Sequence, residues 1–111
     1  MPNSVRAYAP QTLDAVQVLG NQIALARRHR RWTSAGLAER VGVSVRTISN
    51  LEHGSPGVTI GVAFEAASIL GISLFGAEGP ELAALARRGQ DTLALLPSRV
   101  YPDRLPADDN F

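Results

Sequence analysis

Arg46, Ser49 and Asn50 share one side of the segment VRTISNLE, with Val45 at its start. Arginine offers a planar fork of donors, asparagine a paired donor and acceptor, and serine a hydroxyl that can do either. Valine adds methyl surface. Such a set does not break bonds; it matches the hydrogen-bonding pattern of a flat polar edge, which arginine in particular can bind through two parallel bonds. Reactive sets are harder to assemble from this chain. There is no cysteine, which excludes a disulfide frame, a thiolate nucleophile and a zinc–thiolate site. His29 and His53 are the only histidines, and only Glu52 stands near one of them at ligand spacing, so no metal pattern is present. GSPG at Gly54–Gly57 reads as a turn rather than a phosphate loop, and no nucleophile elbow occurs. The expectation is a protein with no catalytic residue, no metal and no cofactor.

The outward residues need a helix that turns Ile48 and Leu51 inward. On the corresponding helical wheel Arg46, Ser49, Asn50 and His53 point out. Ser44 can cap this helix, expected over Val45–His53, and Gly54 can stop it. Upstream, Thr33 caps a helix over Ser34–Val41 whose inward residues are Leu37, Ala38 and Val41, and Gly42 ends it in the left-handed region. A longer helix precedes these, from a Thr12 cap with Asp14 in the first turn to about Arg30. Leu19, Ile23, Ala26 and Arg27 fall on one of its faces, and Gly20 inside it costs about 1 kcal/mol relative to alanine, which points to close packing. Trp32 is expected at the junction of the first two helices. Downstream, Ser55-Pro56-Gly57 is a turn, and Thr59 caps Ile60–Leu70 with the stripe Ile60, Ala63, Phe64, Ala67 and Leu70. Ile72–Phe75 suits either a helical turn or a small strand. Pro80 at N1 and Glu81 start a helix ending at Gly89, followed by a helical turn over Asp91–Leu96.

The fold class is therefore all-α. Its expected divisions are a disordered N-terminus (1–11), a domain over 12–76, a helical extension over 77–96 and a flexible, acidic, proline-rich tail over 97–111. The chain of 111 residues carries a net charge of only +1, but the charge is unevenly placed. Arg27, Arg28, Arg30, Arg31, Arg40 and Arg46 face only Glu39 and Glu52, whereas Asp103, Asp108 and Asp109 face Arg104 in the tail. Two short helices crossing at Ala38, Gly42 and Ile48 make a helix-turn-helix, a device that lays its second helix in the major groove of DNA. In that setting Arg46 can read guanine or bind phosphate, Asn50 can read adenine or bind phosphate, Val45 can touch a thymine methyl, and Ser49 shares the base-facing row. Thr33, Ser34, Ser44 and Thr47 can donate to the DNA backbone, and Arg28, Arg30 and Arg31 can neutralise phosphates. The plainer alternative is a solvated helix face, with arginines that merely suit a helix C-terminus. Arg27 and Glu52, on inward or flanking positions, are expected to form a structural ion pair between the first helix and the recognition helix.

The run LARRHRRWTSAGLAERVGVSVRTISNLEHG resembles the Xre/Cro-type phage-repressor helix-turn-helix family, over about Leu19 to Phe75. The marks are Leu19-Gly20, Ile23, Arg27, Thr33, Leu37-Ala38, Gly42-Val43-Ser44, Ile48-Ser49 and Glu52, with a Thr59-capped helix ending in Leu70-Gly71. Within that family the chain is most similar to HipB-like antitoxins, through Ile48–Leu70 and through LALLPSRV and DDNF near the C-terminus. The resemblance implies a five-helix repressor-like domain and a transcriptional repressor that binds an inverted-repeat operator in double-stranded DNA as a homodimer. As an antitoxin it would also neutralise a HipA-like kinase toxin; a stand-alone repressor and a protein–protein interaction module are the alternatives. Ser34 departs from the family, which usually has glutamine there to bind a phosphate. Ile69, Ile72, Leu74, Phe75, Leu82 and Leu85 are candidates for pairing two copies. No run is apolar enough to span a bilayer, which takes ~20 residues, and MPNSVRAYAPQ lacks the pattern of a signal peptide. The expectation is a cytoplasmic protein with no membrane partner.

Overall fold

The computed structural model describes residues 7–100 and 102. Among them are five helices: α1 (Pro10–His29), α2 (Ser34–Val41), α3 (Val45–Glu52), α4 (Ile60–Ile69) and α5 (Gly79–Ala94). The fold is all-α. It divides into two units, residues 1–76, which hold α1–α4, and residues 77–111, which hold α5. No helix of the described residues is long and apolar enough to cross a membrane.

Local chemistry sets the boundaries of α2 and α3. The Thr33 hydroxyl accepts the Gly36 N–H at 2.9 Å, and the Ser44 hydroxyl accepts the Thr47 N–H at 3.1 Å. Each satisfies one donor that a helix N-terminus leaves without a partner. Between them Gly42 sits at φ 86°, and the Gly42 and Val43 N–H groups both donate to Ala38 O, at 2.8 and 3.0 Å. A Cβ at Gly42 would meet nothing within 4 Å, so the turn needs glycine for its backbone angle and not for room.

α1 begins earlier than its sequence suggests. Pro10 occupies the first turn and Ala9 stands at the N-cap without a side-chain bond, while the Thr12 N–H donates to Ala9 O at 3.0 Å. Thr12 therefore lies inside the helix and does not cap it. Proline starts a helix well because φ is preset and its missing N–H would have had no partner. Pro10 and Gln11, expected to be disordered, are thus helical, while residues 1–6 of that segment lie outside the described residues. Thr59 does stand at the N-cap of α4, but its side chain makes no capping bond. Ile72–Phe75 is neither helix nor strand. Phe75 and Gly76 both have positive φ, 58° and 66°, and form a tight turn between bridge residues Leu74 and Ala77.

α1, α3 and α4 end in one motif. The N–H three residues past the last helical residue bonds back across the final turn, as in Trp32 N–H to Arg27 O (3.1 Å) and Ile72 N–H to Ala67 O (2.9 Å). Ser55 N–H does the same to Asn50 O at 2.9 Å. This closure requires a left-handed residue. Gly54 and Gly71 supply it after α3 and α4, but after α1 the position is held by Arg31, at φ 58°.

The core of the first unit is Ile23, Leu37, Ala38, Ile48, Leu51, Ala63, Ala66 and Leu70, bordered by partly buried side chains that include Leu19, Ala26, Trp32 and Val41. α2 packs on both α3 and α4, and α1 packs on α3. The inward face of α4 holds Ala63, Ala67 and Leu70 of the expected stripe, but gains Ala66 and loses Ile60. Ala66 is fully buried, whereas Ile60 is 69% exposed. In the second unit α5 is one helix that runs straight through Gly89 instead of stopping there. The Glu81 side chain accepts the Glu78 N–H at 3.0 Å, which secures its start.

Candidate nucleic-acid interface

The two ends of α3 have different surroundings. At its C-terminal end α1 approaches closely enough to require glycine on both sides. A Cβ on Gly20 would overlap the Leu51 carbonyl oxygen and stand 3.1 Å from that of Glu52. One on Gly54 would stand 3.1 Å from Gln17 Cα. Beside these contacts Arg27 donates through Nε to Glu52 Oε2 at 2.7 Å and through Nη2 to Oε1 at 3.0 Å. Its Nη1 donates to Trp32 O at 2.8 Å. One guanidinium thus joins α1, α3 and the α1–α2 connection. The two side chains are 10% and 8% exposed. The hydrogen bonds that Arg27 donates to the Glu52 carboxylate hold its pKa above the ordinary value, and outweigh the burial that pulls the other way.

The N-terminal end of α3 is open. Val45 is 47% exposed despite being apolar, and Arg46, Ser49 and Asn50 are exposed as well. Ile48 and Leu51 are buried on the opposite side. Among the described residues, no side-chain hydrogen bond or ion pair occupies Arg46 or Asn50, so their donors and acceptors are available. Ser44 and Thr47 hydroxyls lie 3.0 Å apart and bond to one another at the tip. His53 folds back, its Nδ1–H donating to Ser49 O at 2.7 Å, which closes the far end of the helix. Thr47 and Asn50 also line a hollow of about 370 Å³ with Ser55, Thr59 and Val62.

A helix with one clamped and buried side and an open, polar N-terminal tip is the geometry by which a helix-turn-helix enters a major groove. A family model described as helix-turn-helix matches residues 23–76. Residues 23–76 are a helix-turn-helix domain of the Xre/Cro type. With this domain the chain is a DNA-binding transcriptional regulator. No curated protein matches the chain. A solved complex of a HipB variant with an O2 20mer is similar to it, at 27% identity and a TM-score of 0.49, covering 69% of this chain and 99% of that one.

The other residues singled out in the sequence take their places around the helix-turn-helix domain. Thr33 is exposed and Ser34 half-buried at the start of α2. Arg28, Arg30 and Arg31 are exposed around the end of α1. Arg31 holds the left-handed position described above, where a non-glycine residue costs about 1–2 kcal/mol. Glycine fills the equivalent position after α3 and α4, so the arginine side chain here is kept against a backbone penalty.

Two features escape a reading of the sequence. The first is the reason for Gly20, which depends on carbonyl oxygens more than thirty residues away along the chain. The second is Arg40. Its guanidinium lies over the Trp32 ring, 3.9 Å from the centroid, with Arg30 at 5.4 Å from the same ring. An isolated tryptophan after an arginine-rich run is a hint of such stacking, but nothing in the spacing selects Arg40 as the partner.

Proposed function

We propose that this chain is a transcriptional repressor that binds an inverted-repeat operator as a homodimer, with α3 in the major groove. Val45, Arg46, Ser49 and Asn50 face the bases, and Thr33, Ser34, Ser44, Thr47, Arg28, Arg30 and Arg31 contact the backbone. The observation that carries this reading is the open tip of α3, where Arg46 and Asn50 keep all their side-chain hydrogen-bonding capacity beside an exposed valine. A surface salt-bridge lattice would have used those groups. A bidentate pairing of Arg46 with guanine is worth ~1–3 kcal/mol of discrimination against the wrong base.

One such module presents little surface, and pairing two across a two-fold axis doubles it, with half-sites about 34 Å apart. Selection of tight binders from random duplexes tests the reading. It predicts an inverted repeat with that spacing, and affinity that falls steeply with salt. Recovery of no preferred sequence would reject it.

Within this reading the chain is a HipB-like antitoxin that represses its own operon and neutralises a kinase toxin. Support comes from the similarity of Ile48–Leu70 and of the C-terminal LALLPSRV and DDNF runs to such antitoxins. An acidic, proline-rich segment suits docking on a basic partner surface. A kinase-like reading frame beside the gene, whose product co-purifies with this chain, is the expected finding. A stand-alone repressor would have neither.

A further inference from the structure

The geometry points to Arg40 as a DNA-phosphate contact, held ready by Trp32 at the first turn of α2. This rests on the DNA-binding reading above and adds a residue to it. Arg40 belongs to the last turn of α2, but its side chain runs back along the helix. Nη1 donates to Gly36 O at 3.1 Å. A Cβ on Gly36 would lie 3.3 Å from Arg40 Nη1 and 3.3 Å from Thr33 Oγ1. The guanidinium and the capping hydroxyl therefore flank the same point of the first turn, and the absence of a side chain at Gly36 leaves room for both.

Three observations set Arg40 apart from an ordinary surface arginine. Its guanidinium carbon lies over an indole, 3.9 Å from the ring centroid. A half-buried tryptophan bordering the core is a fixed platform, so the side chain has already lost much of the freedom that a phosphate contact would cost it. Among the described residues no carboxylate pairs with it; the salt bridge there joins Arg27 and Glu52. Only Nη1 has a hydrogen-bond partner, which leaves most of its five donors free. The first helix of a helix-turn-helix crosses the DNA backbone, and α2 presents its N-terminal N–H groups there, where anions are favoured. Arg40 supplies a full charge at that place. Ser34, a short side chain and half-buried, cannot reach as far.

The test is the salt dependence of binding to random-sequence duplex DNA of about 30 base pairs, three helical turns. It requires no knowledge of the operator. Wild type, Arg40→Ala, Arg40→Lys and Arg46→Ala are titrated at several salt concentrations, with circular dichroism confirming that each is folded. Arg40→Ala is expected to flatten the log–log slope by about 0.9 per bound protomer. Between 50 and 200 mM salt its affinity then falls about three- to four-fold less than that of wild type, per protomer. Arg40→Lys keeps the charge, and so the slope, but binds more weakly because lysine lacks the flat, stacked fork. A folded Arg40→Ala with the wild-type slope, while Arg46→Ala flattens it, overturns the assignment and leaves the DNA-binding reading intact. Wild type that shows no salt-dependent binding overturns both.

Discussion

The two ends of α3 are eight residues of one helix under opposite constraints. The Leu51–Gly54 end is pressed against α1 with no room for a Cβ at Gly20, and is tied by the bidentate Arg27–Glu52 pair. The Val45–Arg46 end meets solvent and depends on the Ser44 cap and the Gly42 turn. The difference teaches where stability and recognition reside. One end positions the helix and tolerates almost no change; the other is free to vary because nothing inside the protein depends on it.

Breaking the clamp has the largest expected effects. Glu52→Gln leaves the Arg27 charge buried without its counter-ion, and should cost about 3–5 kcal/mol in urea unfolding. An unchanged midpoint would mean that the pair is solvated and does not clamp. Gly20→Ala forces α1 away from the Leu51 carbonyl, at about 2–3 kcal/mol by the same measurement. It should also weaken DNA binding, since α3 must shift with its contact.

Smaller changes sharpen the contrast. Ser44→Ala removes the cap at the open end and should cost about 1 kcal/mol. Arg31→Gly has the opposite sign: relief of the left-handed backbone should raise stability by about 1 kcal/mol, while loss of a cation lowers DNA affinity. A variant that is more stable and weaker in binding would show why arginine stands where α3 and α4 use glycine. A loss of stability would show that the side chain is structural. Arg46→Ala should move the unfolding midpoint least, by under about 0.5 kcal/mol, as for an exposed site without partners.

The parts of this molecule that are legible in its sequence are those decided within a few residues. Thr33 and Ser44 start α2 and α3 through bonds to N–H groups three residues on, Gly42 ends α2 through its left-handed backbone, and the Ile48 and Leu51 spacing fixes the face. The start of α1 was open to two local solutions, and proline at the first turn prevails over the Thr12 cap. Gly89 has the look of a helix stop, yet in an exposed helix a glycine costs only about 1 kcal/mol, and α5 runs through it. Ile60 sits at a core-facing spacing but on the first turn of α4, beyond the reach of the packing that buries Ala63, Ala66 and Ala67. Gly20 and the Arg40–Trp32 stack were illegible because their causes are contacts between separate helices or across a turn.

The most direct test of the account measures wild type and Arg46→Ala against the best duplex selected from random sequence and against each single base-pair change in it. If the open end of α3 reads sequence, wild type discriminates by ~1–3 kcal/mol at the position facing Arg46. Arg46→Ala then loses discrimination there alone while keeping its fold and its preferences elsewhere. Wild type that binds every duplex alike, or an Arg46→Ala profile parallel to that of wild type at every position, would contradict the account.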